Sequence, residues 1–159
     1  MQIQRIAPDG WERYRRIRLR ALQDAPDAFG TTLQEAASRH EAAWREQLDA
    51  LATFIAVLDR QDAGTARGAP DTSSPSNAFL IGMWVAPPYR GLGVGVQLIE
   101  AVCAWARAEG FSRLTLDVAD DNKAAIDLYA RMGFAETGER GTLPPPRTHI
   151  LEHRRVFLL

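Results

Sequence analysis

The apolar positions of the chain follow two periods, which together predict a mixture of strands and helices. Residues 79–85 are almost all apolar, as in a buried strand, and prolines at 87 and 88 end that strand. A helical stripe follows, with apolar members at i, i+3, i+4 and i+7: Ile99, Val102, Cys103 and Ala106. The centre of the chain is therefore predicted to be a strand, a turn and a helix.

The flanking sequence predicts further elements of both kinds. Strands are expected at residues 3–6, 53–58, 113–118, from Phe134 onward and at 149–159. Helices are expected over residues 11–22, 37–51 and 125–132, the first with Asp9 as its N-cap. Two stretches are expected to be irregular: residues 59–77, where only 65–68 carry any strand pattern, and the proline-containing loop 138–146.

The turn after the central strand has the composition of an anion-binding site. Gly91, Gly93 and Gly95 allow the backbone to approach a ligand closely, and Arg90 adds a positive charge. The helix that begins here has free N–H groups and the positive end of its dipole at this turn. The sequence therefore predicts that a phosphate or pyrophosphate binds here.

Composition narrows the class of protein. The 159 residues fit one domain, and a formal net charge of −1 gives no general attraction to nucleic acid or an anionic membrane. One cysteine, on the apolar face of a helix, excludes an internal disulfide framework, and three scattered histidines give no metal-ligand spacing. No signal peptide or membrane span is visible, which favours a cytoplasmic protein. Arginines at 13, 15, 16, 18 and 20 are interpreted as a solvated helix face, with a basic docking patch as the alternative.

Two motifs resemble signatures of the GCN5-related N-acetyltransferase (GNAT) superfamily. The first is Arg90-x-x-Gly93-x-Gly95, preceded by Val-x-Pro at residues 85–87. The second is similar to Asn-x-x-Ala-x-x-Leu-Tyr-x-x-x-Gly-Phe and matches at Asn122, Ala125, Leu128, Tyr129, Gly133 and Phe134. Both motifs occur in the family's order, at the family's spacing.

The resemblance implies an α/β (α+β) GNAT fold over residues 1–159 as a single domain. A mixed, mostly antiparallel sheet of six to seven strands would be flanked by about four helices and splayed beside a bulged central strand. The cofactor implied is acetyl-CoA, with pantetheine paired to the backbone of residues 84–85 and the pyrophosphate held by 90–96. The implied cofactor-binding residues are Trp84, Val85, Arg90, Gly91, Leu92, Gly93, Val94, Gly95, Val96, Asn122, Ala125 and Tyr129.

The implied reaction moves an acetyl group from acetyl-CoA to a primary amine. By resemblance, Tyr129 protonates the departing thiolate, with packing against the strands as its alternative role. The family often uses a central-strand carboxylate as the base, and residues 79–85 contain none. Asp117 is the first candidate, and its alternative role is that of an ordinary ion-pair partner for an arginine. The other candidates for the base are Glu35, Glu152, His149, His153 and a water chain.

The acceptor site is expected at the segment that joins the first two helices. In this family that segment forms one wall of the pocket, which here implies Phe29, Gly30 and Thr31. A hydrophobic plug between helices is the alternative for Phe29. The acceptor is expected to be a small-molecule or peptide amine, and the protein a monomer or homodimer.

Two other classes of function compete with an acetyltransferase. A dinucleotide-binding oxidoreductase needs a third glycine where Val96 stands, and glycines directly after the strand, whereas residues 86–90 intervene here. A non-catalytic acyl-CoA sensor would share the fold and the turn, and Tyr129 argues against it.

Overall fold

The computed structural model describes residues 1–159, which form one seven-stranded sheet flanked by helices on both faces. The strands are β1 (Gln2–Arg5), β2 (Ala52–Leu58), β3 (Gln61–Pro70), β4 (Asn77–Val85), β5 (Arg113–Ala119), β6 (Ala135–Thr142) and β7 (Leu151–Leu158). Their spatial order is β1-β2-β3-β4-β5-β7-β6, and only the β4–β5 pair is parallel.

Five α-helices cover the sheet, where the sequence predicts about four. They are α1 (Trp11–Asp24), α2 (Leu33–Ala37), α3 (Glu41–Ala50), α4 (Val94–Ala108) and α5 (Lys123–Arg131). A core of 12 buried residues joins α1–α3 to one face of the sheet, around Trp44 and Tyr14. A second core of 18 buried residues joins α4 and α5 to the other face, around Leu98 and Leu116. The two cores hold the central strand between layers of helices.

The sheet opens between β4 and β5. The two strands pair only from Asn77 to Phe79, opposite residues 113–115, and then separate. The remaining length of β4 therefore has no neighbour on that side, and its backbone groups face a gap. The predicted mixed, splayed sheet is confirmed.

Strand β3 corrects the expectation of an irregular stretch at residues 59–77. It is a ten-residue strand paired on both sides, and its positions that face α4, Gly64, Ala66 and Gly68, are small. A Cβ at Gly68 would lie 2.2 Å from the Trp105 ring, and one at Gly64 would lie 2.7 Å from the Trp84 carbonyl oxygen. Because large residues would not fit, the strand lacks the apolar pattern that identifies its neighbours.

The loop that follows β3 is closed by its own polar side chains. Asp71 accepts hydrogen bonds from Ser73 N at 2.9 Å and from Asn77 Nδ2 at 3.0 Å. These hydrogen bonds lower the pKa of Asp71 to about 2, and the bond from Asn77 has the largest effect. The aspartate and serines that predict irregular structure therefore form a defined turn between β3 and β4.

Other differences lie at element ends. The helix expected over 37–51 is two helices, because Thr32 and Glu35 form a capping box that starts α2 early and α3 begins only after His40. Gly10, not Asp9, occupies the N-cap of α1, and no side chain caps that helix start. Strand β6 extends to Thr142, so the first part of the loop expected at residues 138–146 is a strand instead. All residues of β6 are exposed, and the strand therefore has no alternation of apolar and polar positions that would identify it in the sequence.

Candidate active site

A cleft of about 1390 Å³ occupies the gap between β4 and β5 and extends under α1. It is lined by every site residue predicted from the sequence except Leu92, which is 56% exposed, and the two histidines among the alternative bases, His149 and His153. The donor-side members are Trp84, Val85, Arg90, Gly91, residues 93–96, Asn122, Ala125 and Tyr129, and the others are Phe29, Gly30, Thr31 and Asp117. The fold thus brings together residues from both motifs and from the α1–α2 connection.

The turn before α4 presents a row of free backbone donors to this cleft. Gly91 and Gly93 have φ of +76° and +82°, and a Cβ at either would meet nothing within 4 Å. The Arg90 amide donates to the Pro87 carbonyl at 3.3 Å, and the next amide with a backbone acceptor is that of Gln97, which donates to the Gly93 carbonyl at 3.2 Å. The amides of residues 91–96 and the positive helix end fit a phosphate group.

Gly95 differs from the other two glycines of the turn. A Cβ there would lie 2.8 Å from Leu128 Cδ2 and 3.1 Å from Met83 Cε. This glycine allows the start of α4 to pack against α5 and β4. Gly95 is predicted to let the backbone approach a ligand closely. It also has a packing role, which the motif does not reveal.

Arg90 is held by the protein itself. Its Nε donates to the Val85 carbonyl at 2.9 Å, and its guanidinium contacts Asp24 Oδ2 at 2.5 Å. The same oxygen accepts a hydrogen bond from Trp84 Nε1 at 2.9 Å. Both hydrogen bonds lower the pKa of Asp24, and the bond from Trp84 has the larger effect. Sequence reasoning missed Asp24, which ties the end of α1 to the end of β4 and to the turn.

Strand β4 contains a bulge where it enters the cleft. Arg67 pairs with Ile81 and Thr65 with Trp84, so two residue steps on β3 oppose three on β4. Gly82 lies at this irregularity with φ of +61°. Residues 83–85, which follow the bulge, line the cleft.

Tyr129 on α5 lies at the inner end of the cleft. It is 7% exposed and packs edge-on against Phe134, with ring centroids 5.8 Å apart. Burial raises the pKa of its hydroxyl, so the group stays protonated at neutral pH. Asn122, at the start of the same helix, accepts a hydrogen bond from the Ala125 amide at 3.4 Å and caps α5.

The carboxylates of the cleft differ in their partners. Asp117 is bound by Arg154 through two hydrogen bonds of 2.9 and 3.1 Å. Glu35 completes the α2 capping box. Glu152 makes no ion pair or side-chain hydrogen bond; burial, followed by repulsion from Asp117 and Asp120, raises its pKa.

Neither histidine proposed as a base lines the cleft. His153 Nδ1 lies 2.8 Å from Asp120 Oδ1, and its Nε2 accepts a hydrogen bond from Arg155 at 3.2 Å. His149 lies in the loop before β7. No cluster of three histidine, cysteine or carboxylate side chains has metal-binding geometry, and no helix has the length and apolarity needed to cross a membrane.

The segment predicted to form the acceptor wall, residues 29–31, lines the cleft. The Phe29 ring is 6% exposed and belongs to the α1–α3 core, yet it also lines the cleft. The wall is tied to the loop before β7, because Arg147 donates to the carbonyls of Pro26 at 2.6 Å and Gly30 at 2.9 Å. Sequence reasoning missed this contact, which has no local pattern.

Comparison with known proteins places the chain among acetyltransferases. An aminoglycoside N(6')-acetyltransferase type 1 from Salmonella typhimurium is 35% identical over 101 residues, covering 57% of this chain and 67% of that protein. Three other curated relatives, among them a probable N-acetyltransferase camello from Xenopus tropicalis that is 33% identical over 84 residues, are matched over only 37–38% of their own length.

Solved structures share the whole fold at low identity. A ribosomal-protein-alanine N-acetyltransferase from Brucella melitensis superposes with a TM-score of 0.79 at 20% identity and covers 100% of both chains. The structure of yncA from Salmonella typhimurium with its cofactor acetyl-CoA has a TM-score of 0.79 at 17% identity, covering 100% of this chain and 94% of that one.

The family comparison agrees with both motifs and with the splayed sheet. The family model described as "Acetyltransferase (GNAT) family" matches residues 12–134, which contain the turn and the α5 motif. The predicted family and fold are therefore confirmed. The chain belongs to the GNAT acetyltransferase family.

Proposed function

We propose that residues 1–159 are a single acetyltransferase domain that transfers the acetyl group of acetyl-CoA to a primary amine. The observation that carries this is the turn of residues 91–96, whose amides have no backbone acceptor and which follows the end of β4 that is unpaired on its β5 side. A diphosphate fits those amides, and an extended thiol-bearing arm fits the unpaired edge of β4. The acetyl-CoA in the yncA structure supports the same ligand for this fold.

The donor side uses backbone groups. The amides of residues 91–96 bind the pyrophosphate, and the backbone of Trp84 and Val85 pairs with the pantetheine arm. Arg90 supports the site by holding the turn to Val85 and Asp24. Asn122 and Ala125 form the wall at the start of α5.

Bound acetyl-CoA supplies its acetyl group as a thioester, which the amine attacks directly in a ternary complex. The bulged strand places a backbone N–H near Val85 against the thioester oxygen, where charge develops. The Tyr129 hydroxyl, protonated because it is buried, donates to the sulfur as it leaves. Holding both reactants in one cleft supplies the proximity that this reaction needs.

We assign the base to Glu152 in preference to Asp117. Asp117 is the first candidate from the sequence, but its carboxylate is engaged by Arg154. Glu152 lines the same cleft without a cationic partner, and its raised pKa brings it closer to that of a base working near neutrality. A carboxylate on β7 thereby takes the place of the one absent from β4.

The first test separates the three candidate classes by ligand. A thermal-shift titration compares acetyl-CoA with NAD and NADP, and a thiol-release assay then supplies a panel of amines. We expect acetyl-CoA alone to raise the melting temperature, and at least one amine to release CoA. Stabilisation by NAD or NADP would favour an oxidoreductase. Acetyl-CoA binding without thiol release from any amine would favour a sensor.

A further inference from the structure

Two arginines lie buried in the acceptor side of the cleft. Arg18 on α1 is 4% exposed and Arg67 on β3 is 7% exposed, and both line the cleft. The sequence interpretation of Arg18 as part of a solvated face is therefore wrong. Charged side chains are seldom this buried without a partner.

Neither guanidinium has a carboxylate partner. Arg18 makes no hydrogen bond, and its buried NH1 is unsatisfied. Arg67 donates only from NH1, to Gln47 Oε1 at 3.1 Å, and its buried Nε is unsatisfied. Each guanidinium otherwise stacks on a ring: Arg18 lies 4.6 Å from the Phe29 centroid and Arg67 lies 5.5 Å from that of Tyr14.

Three carboxylates of the same cleft are engaged by other groups, and the remaining two, Asp127 and Glu152, pair with neither arginine. Asp24 is bound to Arg90, Asp117 to Arg154, and Glu35 belongs to the α2 cap. No acidic oxygen lies within 4 Å of either arginine. Burial, with Arg67 and Arg39 nearby, lowers the pKa of Arg18 to about 10, so its charge persists at neutral pH.

The two guanidiniums lie together against the β4 bulge. A Cβ at Gly82 would lie 3.1 Å from Arg67 Nε and 3.6 Å from Arg18 NH1. The glycine therefore leaves space for both charges beside the strand that the proposed function assigns to the thioester arm. An oxyanion placed there would satisfy the unpartnered N–H groups.

We propose that Arg18 and Arg67 form an anion subsite that binds a carboxylate of the acceptor. The acceptor is then an amine that also carries a carboxylate group, as an amino acid does. This inference rests on the proposed function for its catalytic consequence. Its physical basis is independent of that function. Burying two charges without a carboxylate partner costs free energy in the unliganded protein, and a bound anion would offset that cost.

The test compares matched pairs of acceptors that differ only in charge. Free amino acids and β-alanine are each assayed beside their carboxamides, with 2-aminoethylphosphonate as the phosphonate arm. We expect a carboxylate to be preferred over its carboxamide by at least about 100-fold in kcat/KM, because the carboxamide leaves the buried donors unpaired. A preference for the phosphonate would overturn the carboxylate assignment, and equal rates within pairs would overturn the subsite.

Variants connect this preference to the two side chains. Arg67→Met and Arg18→Met should reduce the preference at least tenfold and leave acetyl-CoA affinity unchanged. Arg16→Met is the matched control, since Arg16 lies on the same helix but is exposed. If the control loses the preference equally, or both subsite variants keep it, the assignment is wrong.

Two readouts do not depend on turnover. The subsite variants should melt at the same temperature as wild type or higher, because each removes an unpartnered buried charge; a fall in melting temperature in both would indicate a structural role. In the CoA complex, carboxylated amines should raise the melting temperature more than their carboxamides in wild type and not in Arg67→Met. Absence of that difference overturns the subsite, whereas absence of thiol release alone counts against the proposed function.

Discussion

The two halves of the cleft are built from different parts of the chain. The donor half, residues 84–96 with α5, presents backbone amides from one continuous turn and one strand edge. The acceptor half, Arg18, residues 29–31 and Arg67, presents side chains from a helix, a loop and a strand that are distant in sequence. One half relies on local backbone geometry and the other on tertiary packing.

This difference explains which half leaves a motif. A backbone cradle requires glycine at fixed spacing, because Gly91 and Gly93 adopt positive φ and leave the amides accessible. A side-chain subsite requires only that the fold bring suitable groups together. The donor half should therefore be shared across relatives of this fold, and the acceptor half should decide which amine reacts.

The largest expected effect tests the backbone cradle directly. Gly93→Asp places a carboxylate against the proposed pyrophosphate and should weaken acetyl-CoA binding by roughly 1000-fold, the effect of about 4 kcal/mol of like-charge repulsion. Isothermal titration calorimetry with acetyl-CoA measures this change.

The matched control for that variant is Gly93→Asn. Asparagine has nearly the same shape, tolerates positive φ better than most residues and carries no charge. It should retain much more affinity than the aspartate variant. Equal affinities of both variants and wild type would refute the assignment of this turn.

A smaller effect is expected where the donor half meets the reaction. Tyr129→Phe keeps the packing against Phe134 and removes only the hydroxyl, so kcat should fall about 100-fold while acetyl-CoA affinity stays within about twofold. Steady-state kinetics and calorimetry together separate the two quantities. Turnover at the wild-type rate would leave the ring with a packing role only.

The contrast also shows how far the sequence predicts the molecule. The glycine turn and the helix that carries Tyr129 are predictable because each depends on residues within a few positions. Strand β3 was not predictable, because its residues are small where they pack against Trp105 and Leu98 on α4, which lie more than 30 positions away in the sequence. The five arginines of α1 predict a solvated face that includes Arg18, and only the fold reveals that Arg18 is buried.

The smallest expected effect lies at the contact between the two halves. Asp24 ends α1 and binds both Trp84 and Arg90, so Asp24→Asn should keep an acceptor for Trp84 and lose the ion pair with Arg90. The Arg90 side chain is 53% exposed, so solvent screening limits the expected loss of unfolding free energy to about 0.5–1 kcal/mol at pH 7. Urea unfolding measures it, with the exposed Asp49→Asn as the control.

The pH dependence of that difference identifies its cause. The pKa of Asp24 is lower in the folded protein than the ordinary value of about 3.9, so its contribution is complete above that value and disappears as pH falls through the folded pKa. Wild type and Asp24→Asn should therefore converge in stability as the pH falls below the folded pKa of Asp24, while Asp49→Asn follows wild type throughout. If the difference persisted unchanged in acid, the ion pair would not be its source, and the link between the halves would consist of the Trp84 hydrogen bond and packing alone.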